Sequence, residues 1–167
     1  MDMTLNPLIR AINPDAESEI ATVTECMRFT LQEVMGEERG GNYYTLEWLR
    51  NRLLQHLDPK QYQARVLLAE DHDGNILGHT IVRIERDEND QAFGLYSTTY
   101  VKPESRRRGI AVQLVQRGEE WLREQGMTRL ATDTAQDNGK LIGLFQGRGY
   151  QVAFRSKEML RLQKDFG

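Results

Sequence analysis

The stretch Val101-Lys102-Pro103-Glu104-Ser105-Arg106-Arg107-Arg108-Gly109-Ile110-Ala111 constrains the fold of this 167-residue chain more than any other. Ahead of it, Phe93 to Val101 is rich in β-branched and aromatic residues, which suit a strand. Behind it, Val112, Leu114, Val115, Trp121 and Leu122 place a helix over Ala111 to Gln125, and Gly126 ends it. A strand must therefore pass through a basic, glycine-bearing loop straight into a long helix. A helix start carries unpaired backbone N–H groups and a partial positive charge, which stabilises an anion by ~0.3 to 1 kcal/mol. Gly109 lets the backbone approach closely, Ala111 adds little bulk in the first turn, and three arginines bring charge that persists at any working pH. The segment suits a bound phosphate or diphosphate.

The rest of the chain alternates strand and helix patterns. Leu8 to Ile12 reads as a short strand stopped by Asn13-Pro14-Asp15. From Ala16 to Val34, Ile20, Val23, Met27 and Leu31 recur at helical spacing and build one buried stripe, with Cys26 beside it. Gly36 to Asn42 breaks that helix, and Thr45 caps a second one through Trp48, Leu49, Leu53 and Leu54. Arg65 to Glu70 and Ile76 to Glu85 form a hairpin around Asp71 to Asn75, and the strand ending at Val101 extends it to a meander after the polar turn Arg86 to Gln91. Leu130 to Thr134 reads as a strand, and Asp137 to Arg148 as a helix with Leu141, Leu144 and Phe145 inward, stopped by Gly149. Tyr150 to Arg155 and Glu158 to Leu162 are strand-like. No repeat or linker divides this mixed α/β order, so residues 1–167 are expected to form one domain.

Composition removes several functions. A hydrophobic fraction of 39% with 28% charged residues belongs to a globular chain, and a net charge of -3 speaks against nucleic acid or a membrane surface as partner. Cys26 is the single cysteine, so no intrachain disulfide or cysteine cluster can form, and His56 and His79 lack metal-ligand spacing; no metal is expected. The N-terminus lacks a signal-peptide pattern and no run approaches the ~18 apolar residues of a membrane span, which gives a cytoplasmic expectation.

Two motifs carry a resemblance. Arg106-x-x-Gly109-x-Ala111, preceded by Val101-x-Pro103, resembles the Q/R-x-x-G-x-G/A signature of the Gcn5-related N-acetyltransferase (GNAT) family. Asn138-x-x-Leu141-x-x-Leu144-Phe145-x-x-x-Gly149-Tyr150 is similar to that family's second signature, N-x-x-A-x-x-L-Y-x-x-x-G-F. The resemblance spans about Leu95 to Phe154, while the N-terminal half agrees in element order. It implies a mixed, mostly antiparallel sheet flanked by helices and splayed between strands 4 and 5, with acetyl-CoA as co-substrate. The loop of Arg106, Arg107, Arg108, Gly109, Ile110 and Ala111 would hold the pyrophosphate through its backbone N–H groups. Thr99, Tyr100 and Val101 would part from Leu130 to Thr134 and leave backbone groups for the pantetheine arm. Asn138 would meet that arm, and Phe145 would pack beside it as well as in the core. Members often dimerise, so the matching expectation is a homodimer.

The proton chemistry follows the same comparison. An amine of pKa ~10.4 costs about 4 to 5 kcal/mol to neutralise at pH 7, so a base or water relay helps. Phe145 stands where the family carries a tyrosine that reprotonates the thiolate, which leaves Tyr100, Tyr96 and Tyr150 as substitutes. Asp133 is the leading base, ahead of Glu85 and Glu70, because a carboxylate at the end of the fifth strand would face the splay. Ala131 to Asn138 also resembles a segment of aminoglycoside N-acetyltransferases in which the aspartate meets the amino sugar, although Ser97 replaces their glutamate on the fourth strand. The loop Glu37 to Tyr44 is a candidate acceptor contact. The expected activity is direct transfer of acetyl from acetyl-CoA to the primary amine of a small cationic molecule or amino sugar. Its alternatives are a peptide or protein amine, or a non-catalytic acetyl-CoA-binding module. A nucleotide-phosphate site is disfavoured, since no Walker lysine follows the glycine.

Overall fold

Polar caps and turns cut the chain into the elements that its periodicities predict, and the computed structural model describes residues 6–35 and 44–166. β1 (Leu8–Ala11) is followed by α1 (Glu17–Met35) and α2 (Leu46–Leu57). A meander of β2 (Ala64–Glu70), β3 (Ile76–Arg86) and β4 (Ala92–Val101) runs through a 3-10 turn, Pro103–Ser105, into α3 (Ile110–Glu124). β5 (Arg129–Ala135), α4 (Gly139–Gly147), β6 (Gln151–Arg155) and β7 (Met159–Asp165) complete the order. The break expected at Gly36 to Asn42 lies outside the described residues.

These strands make one sheet in the order β1-β2-β3-β4-β5-β7-β6. Every neighbouring pair is antiparallel except β4 and β5, which run parallel. A parallel pair needs a crossover, and α3 provides it. Helices cover both faces. On one, Ile20, Val23 and Met27 of α1 and Leu49 and Leu53 of α2 pack on Val66, Leu68 and Ile81. On the other, Val115 and Leu122 of α3 and Phe145 of α4 pack on Val82, Tyr96, Leu130 and Leu162. Ile110 and Leu114 anchor the start of α3 on Leu67, Ala69 and Val101. No helix among the described residues is long and apolar enough to cross a membrane.

Two irregularities in β4 position the site. Ile81 faces Thr98 while Val82 faces Tyr96, so Ser97 is an extra residue that bends the strand. β4 and β5 then pair only over Gly94 to Tyr96 and Leu130 to Thr132. The expected split at Thr99 to Val101 is present, but its far side is corrected: Leu130 to Thr132 stay zipped to β4, and the strands part only beyond them. α4 begins at Gly139, not Asp137, because Asn138 caps it by accepting from Leu141 N at 3.4 Å.

Candidate active site

Where β4 and β5 part, the backbone of β4 from Ser97 to Val101 has no strand partner on the β5 side among the described residues. Unpaired strand groups at a sheet edge are ready donors and acceptors for an extended ligand. The gap widens into a cleft of about 970 Å³ whose walls come from four elements. Thr99, Tyr100 and Val101 line it from β4, and Arg106, Arg107, Gly109, Ile110 and Ala111 from the loop and the first turn of α3. Asn138, Lys140, Leu141 and Leu144 line it from the α4 side, and Thr30 and Glu33 from α1.

The loop is shaped for an anion. Gly109 is the N-cap of α3 with φ 79°, a left-handed conformation natural to glycine, and no side chain caps the helix. The first N–H groups of α3 are therefore left for a ligand. Arg107 also has positive φ, 63°, at a cost of about 1 to 2 kcal/mol for a residue with a Cβ. Alternating backbone of this kind points successive N–H groups into one concavity. Val112 is turned outward, 40% exposed, and joins the lining.

The arginines divide their work. Arg106 turns its side chain onto the protein: Nε donates to Val101 O at 2.8 Å, NH2 lies 2.6 Å from Glu33 Oε1, and the guanidinium covers the Tyr100 ring. Its backbone remains in the loop while its charge is matched locally. Arg107 lines the cleft, and Arg108 does not.

Of the three candidate tyrosines, only Tyr100 lines the cleft. Tyr96 is buried and donates to Val115 O at 2.5 Å, and Tyr150 is buried and donates to Glu119 Oε1 at 3.1 Å. Tyr100 is 5% exposed, and burial together with the nearby charge of Glu33 raises its pKa. Its hydroxyl therefore keeps its proton at neutral pH and can donate it.

The other expected residues fall differently. Phe145 is fully buried, edge-on to Tyr96 and Tyr150 at 5.1 and 4.9 Å, so it belongs to the core and is absent from the cleft wall. Asn138 lines the cleft, but its amide serves the protein: besides capping α4, Nδ2 donates to Thr134 Oγ1 at 3.1 Å. Asp133 is outside the lining, and Arg161 grips both its oxygens at 2.7 and 2.8 Å. Glu70 and Glu85 are tied to Arg10 and Arg83 at 2.6 Å each. Cys26 is buried, and that burial pushes its thiol up to about 11, far from a nucleophilic thiolate. Glu37 to Tyr43 lie outside the described residues; Tyr44 packs against Trp48 at 5.0 Å.

Thr30, Glu33 and Lys140 escaped the sequence reading. Thr30 and Glu33 sit one turn apart on α1 beside its apolar stripe, and that spacing is the only local signal they carry.

The profile of the acetyltransferase (GNAT) family matches residues 30–150. The chain is 26% identical over 112 residues to an aminoglycoside N(6')-acetyltransferase type 1 of Acinetobacter haemolyticus, covering 64% of this chain and 77% of that protein. It is 36% identical over 78 residues to an aminoglycoside N(6')-acetyltransferase type 1 of Klebsiella aerogenes, covering 45% of this chain and 51% of that one. The PaiA N-acetyltransferase of Thermoplasma acidophilum, solved in complex with coenzyme A, superposes with a TM-score of 0.74 at 18% identity over 96% of this chain and 99% of that one.

Proposed function

This chain belongs to the GNAT acetyltransferase family and is an acetyl-CoA-dependent N-acetyltransferase; we propose that residues 1–167 act as one domain that acetylates the primary amine of a small cationic molecule, foremost an amino sugar. The observation that carries the reading is the parting of β4 and β5 beyond Tyr96 and Thr132, beside the uncapped start of α3. The amino sugar is supported by two relatives that are aminoglycoside acetyltransferases. Carboxylates of Glu33 and Asp137 in the cleft wall suit a cationic acceptor.

The residues present fit acetyl-CoA. Left-handed backbone at Arg107 and Gly109 and free N–H groups at the first turn of α3 match a diphosphate. The open edge of β4 from Thr99 to Val101 matches an amide-bearing arm. When bound, acetyl-CoA supplies a thioester carbonyl for the amine to attack and a thiol as leaving group. Backbone donors near the bend at Ser97 would face the carbonyl oxygen as charge develops on it. Tyr100, protonated at neutral pH, would return a proton to the departing sulfur. The proton lost by the amine passes to water in this reading, because Asp133 is engaged by Arg161.

Free-thiol release from acetyl-CoA, measured against aminoglycosides, polyamines, amino acids and short peptides, tests the proposal. Turnover with aminoglycosides is expected. Turnover confined to peptides would overturn the small-amine reading. Silence across the panel in a protein that still binds acetyl-CoA would replace it with the non-catalytic module.

A further inference from the structure

Among the described residues, the Glu33–Arg106 contact is the one ion pair in which both partners line the cleft. It joins two elements with different tasks. Glu33 belongs to α1, and Arg106 opens the loop that leads into the anion-shaped start of α3. The pair is within reach of solutes, with the two side chains 42% and 24% exposed. Two hydrogen bonds hold Arg106, to Val101 O from Nε and to Glu33 from NH2. The first hold fixes the stem of the guanidinium, while the second occupies the amino group that a neighbouring anion would otherwise receive.

We propose that the Glu33–Arg106 pair couples the two ends of the cleft, so that acetyl-CoA and a cationic acceptor each tighten the binding of the other. The proposal rests on the acetyltransferase reading above, which supplies both ligands. An anion at the α3 start competes with Glu33 for Arg106. A cation at the α1 wall competes with Arg106 for Glu33. Each ligand thus releases the group that the other needs, and each removes a like charge from the other's path. Binding couplings of this kind are reciprocal, and ~5-fold or more is their ordinary size. Glu33 is then a positioning residue: it acts on acetyl-CoA through Arg106. A simple strap between α1 and the loop would act with the opposite sign, since cutting a strap loosens the loop and weakens its ligand.

Calorimetric titration of CoA, which lacks the acetyl group and permits no transfer, separates the two. Wild type, Glu33→Gln and Glu33→Asp are titrated with and without saturating kanamycin as the cationic probe. The Glu33→Gln chain is expected to bind CoA ~5-fold tighter than wild type in the absence of kanamycin. Kanamycin is expected to tighten CoA by ~5-fold or more in wild type and in Glu33→Asp, and by less than ~2-fold in Glu33→Gln. Equal or weaker CoA binding by Glu33→Gln overturns the coupling, and so does a wild-type affinity that kanamycin leaves unmoved. The wild-type arm needs no variant to fold. Failure of CoA to bind wild type at all would sink the acetyltransferase reading instead, which keeps the two failures distinct.

Discussion

The Arg106 guanidinium sits 5.2 Å from the centre of the Tyr100 ring, and the Phe29 ring stacks on the same tyrosine at 6.5 Å. A cation over one aromatic and a second ring against it hold Tyr100 in place at the cleft wall. Tyr100→Phe keeps both ring contacts and removes only the hydroxyl. Turnover is expected to fall ~10²-fold or more with acetyl-CoA affinity unchanged, in line with the loss of a general acid. Steady-state rates alongside a CoA titration check this, and turnover within ~3-fold of wild type would take Tyr100 out of the proton transfer.

Gly109→Glu places a carboxylate at the N-cap of α3 and a Cβ where φ is 79°. Repulsion of the diphosphate and backbone strain act together. The variant should still fold, since the strain of a left-handed residue is only about 1 to 2 kcal/mol. CoA should give it no rise in melting temperature, whereas wild type should gain several degrees at ~100 times Kd.

Asp133→Asn should leave CoA affinity intact and lower kcat/KM by less than ~10-fold, because the carboxylate already satisfies Arg161 in a two-pronged contact. A loss beyond ~10²-fold would show that Asp133 leaves Arg161 during turnover and serves as the base.

Two buried histidines are expected to make the fold acid-sensitive. His79 is fully buried with both ring nitrogens unpaired among the described residues, and burial lowers its pKa to about 4. His56 is also pushed to about 4 by burial: its Nδ1 lies 3.0 Å from Arg52 O, and its Nε2 takes a hydrogen bond from Arg83 NH1 at 2.9 Å. The folded values lie below the unfolded value of ~6.5, so the unfolded chain binds more protons between the two. Stability is therefore full above pH ~6.5 and is lost as pH falls towards 4, by up to about 3 kcal/mol per histidine. Melting temperatures between pH 7 and 5 should fall, and His79→Leu should flatten that fall. An unchanged slope in the variant would show that His79 is not a source.

Legibility from the sequence followed the range of the physics involved. Thr45 capped α2 and accepts from Trp48 N at 3.1 Å as a local rule requires, and Gly109, legible as a point of close backbone approach, takes the left-handed conformation that glycine allows. The side-chain destinations depended on distant partners. Arg106 shows its place in the basic loop from its neighbours, but the carboxylate that meets its side chain, Glu33, comes from 73 residues away. Phe145 shares a short helix with Leu141 and Leu144, and all three pack inward as their spacing implies, but only the packing of Tyr96 and Tyr150 decides that Phe145 is sealed in the core while the two leucines also line the cleft. The point where β4 and β5 part is a parallel register, which no neighbouring residues encode.

Transfer of acetyl from acetyl-CoA to an amine in this cleft leaves two products that can be counted together. Mass analysis of kanamycin incubated with acetyl-CoA and wild-type protein, with thiol release followed in the same tube and Gly109→Glu run beside it, measures both. Singly acetylated kanamycin is expected in amounts equal to the thiol released, and neither product with Gly109→Glu. Thiol release without acetylated kanamycin, or equal product from Gly109→Glu, would rule out acetyl transfer to an amine in this cleft.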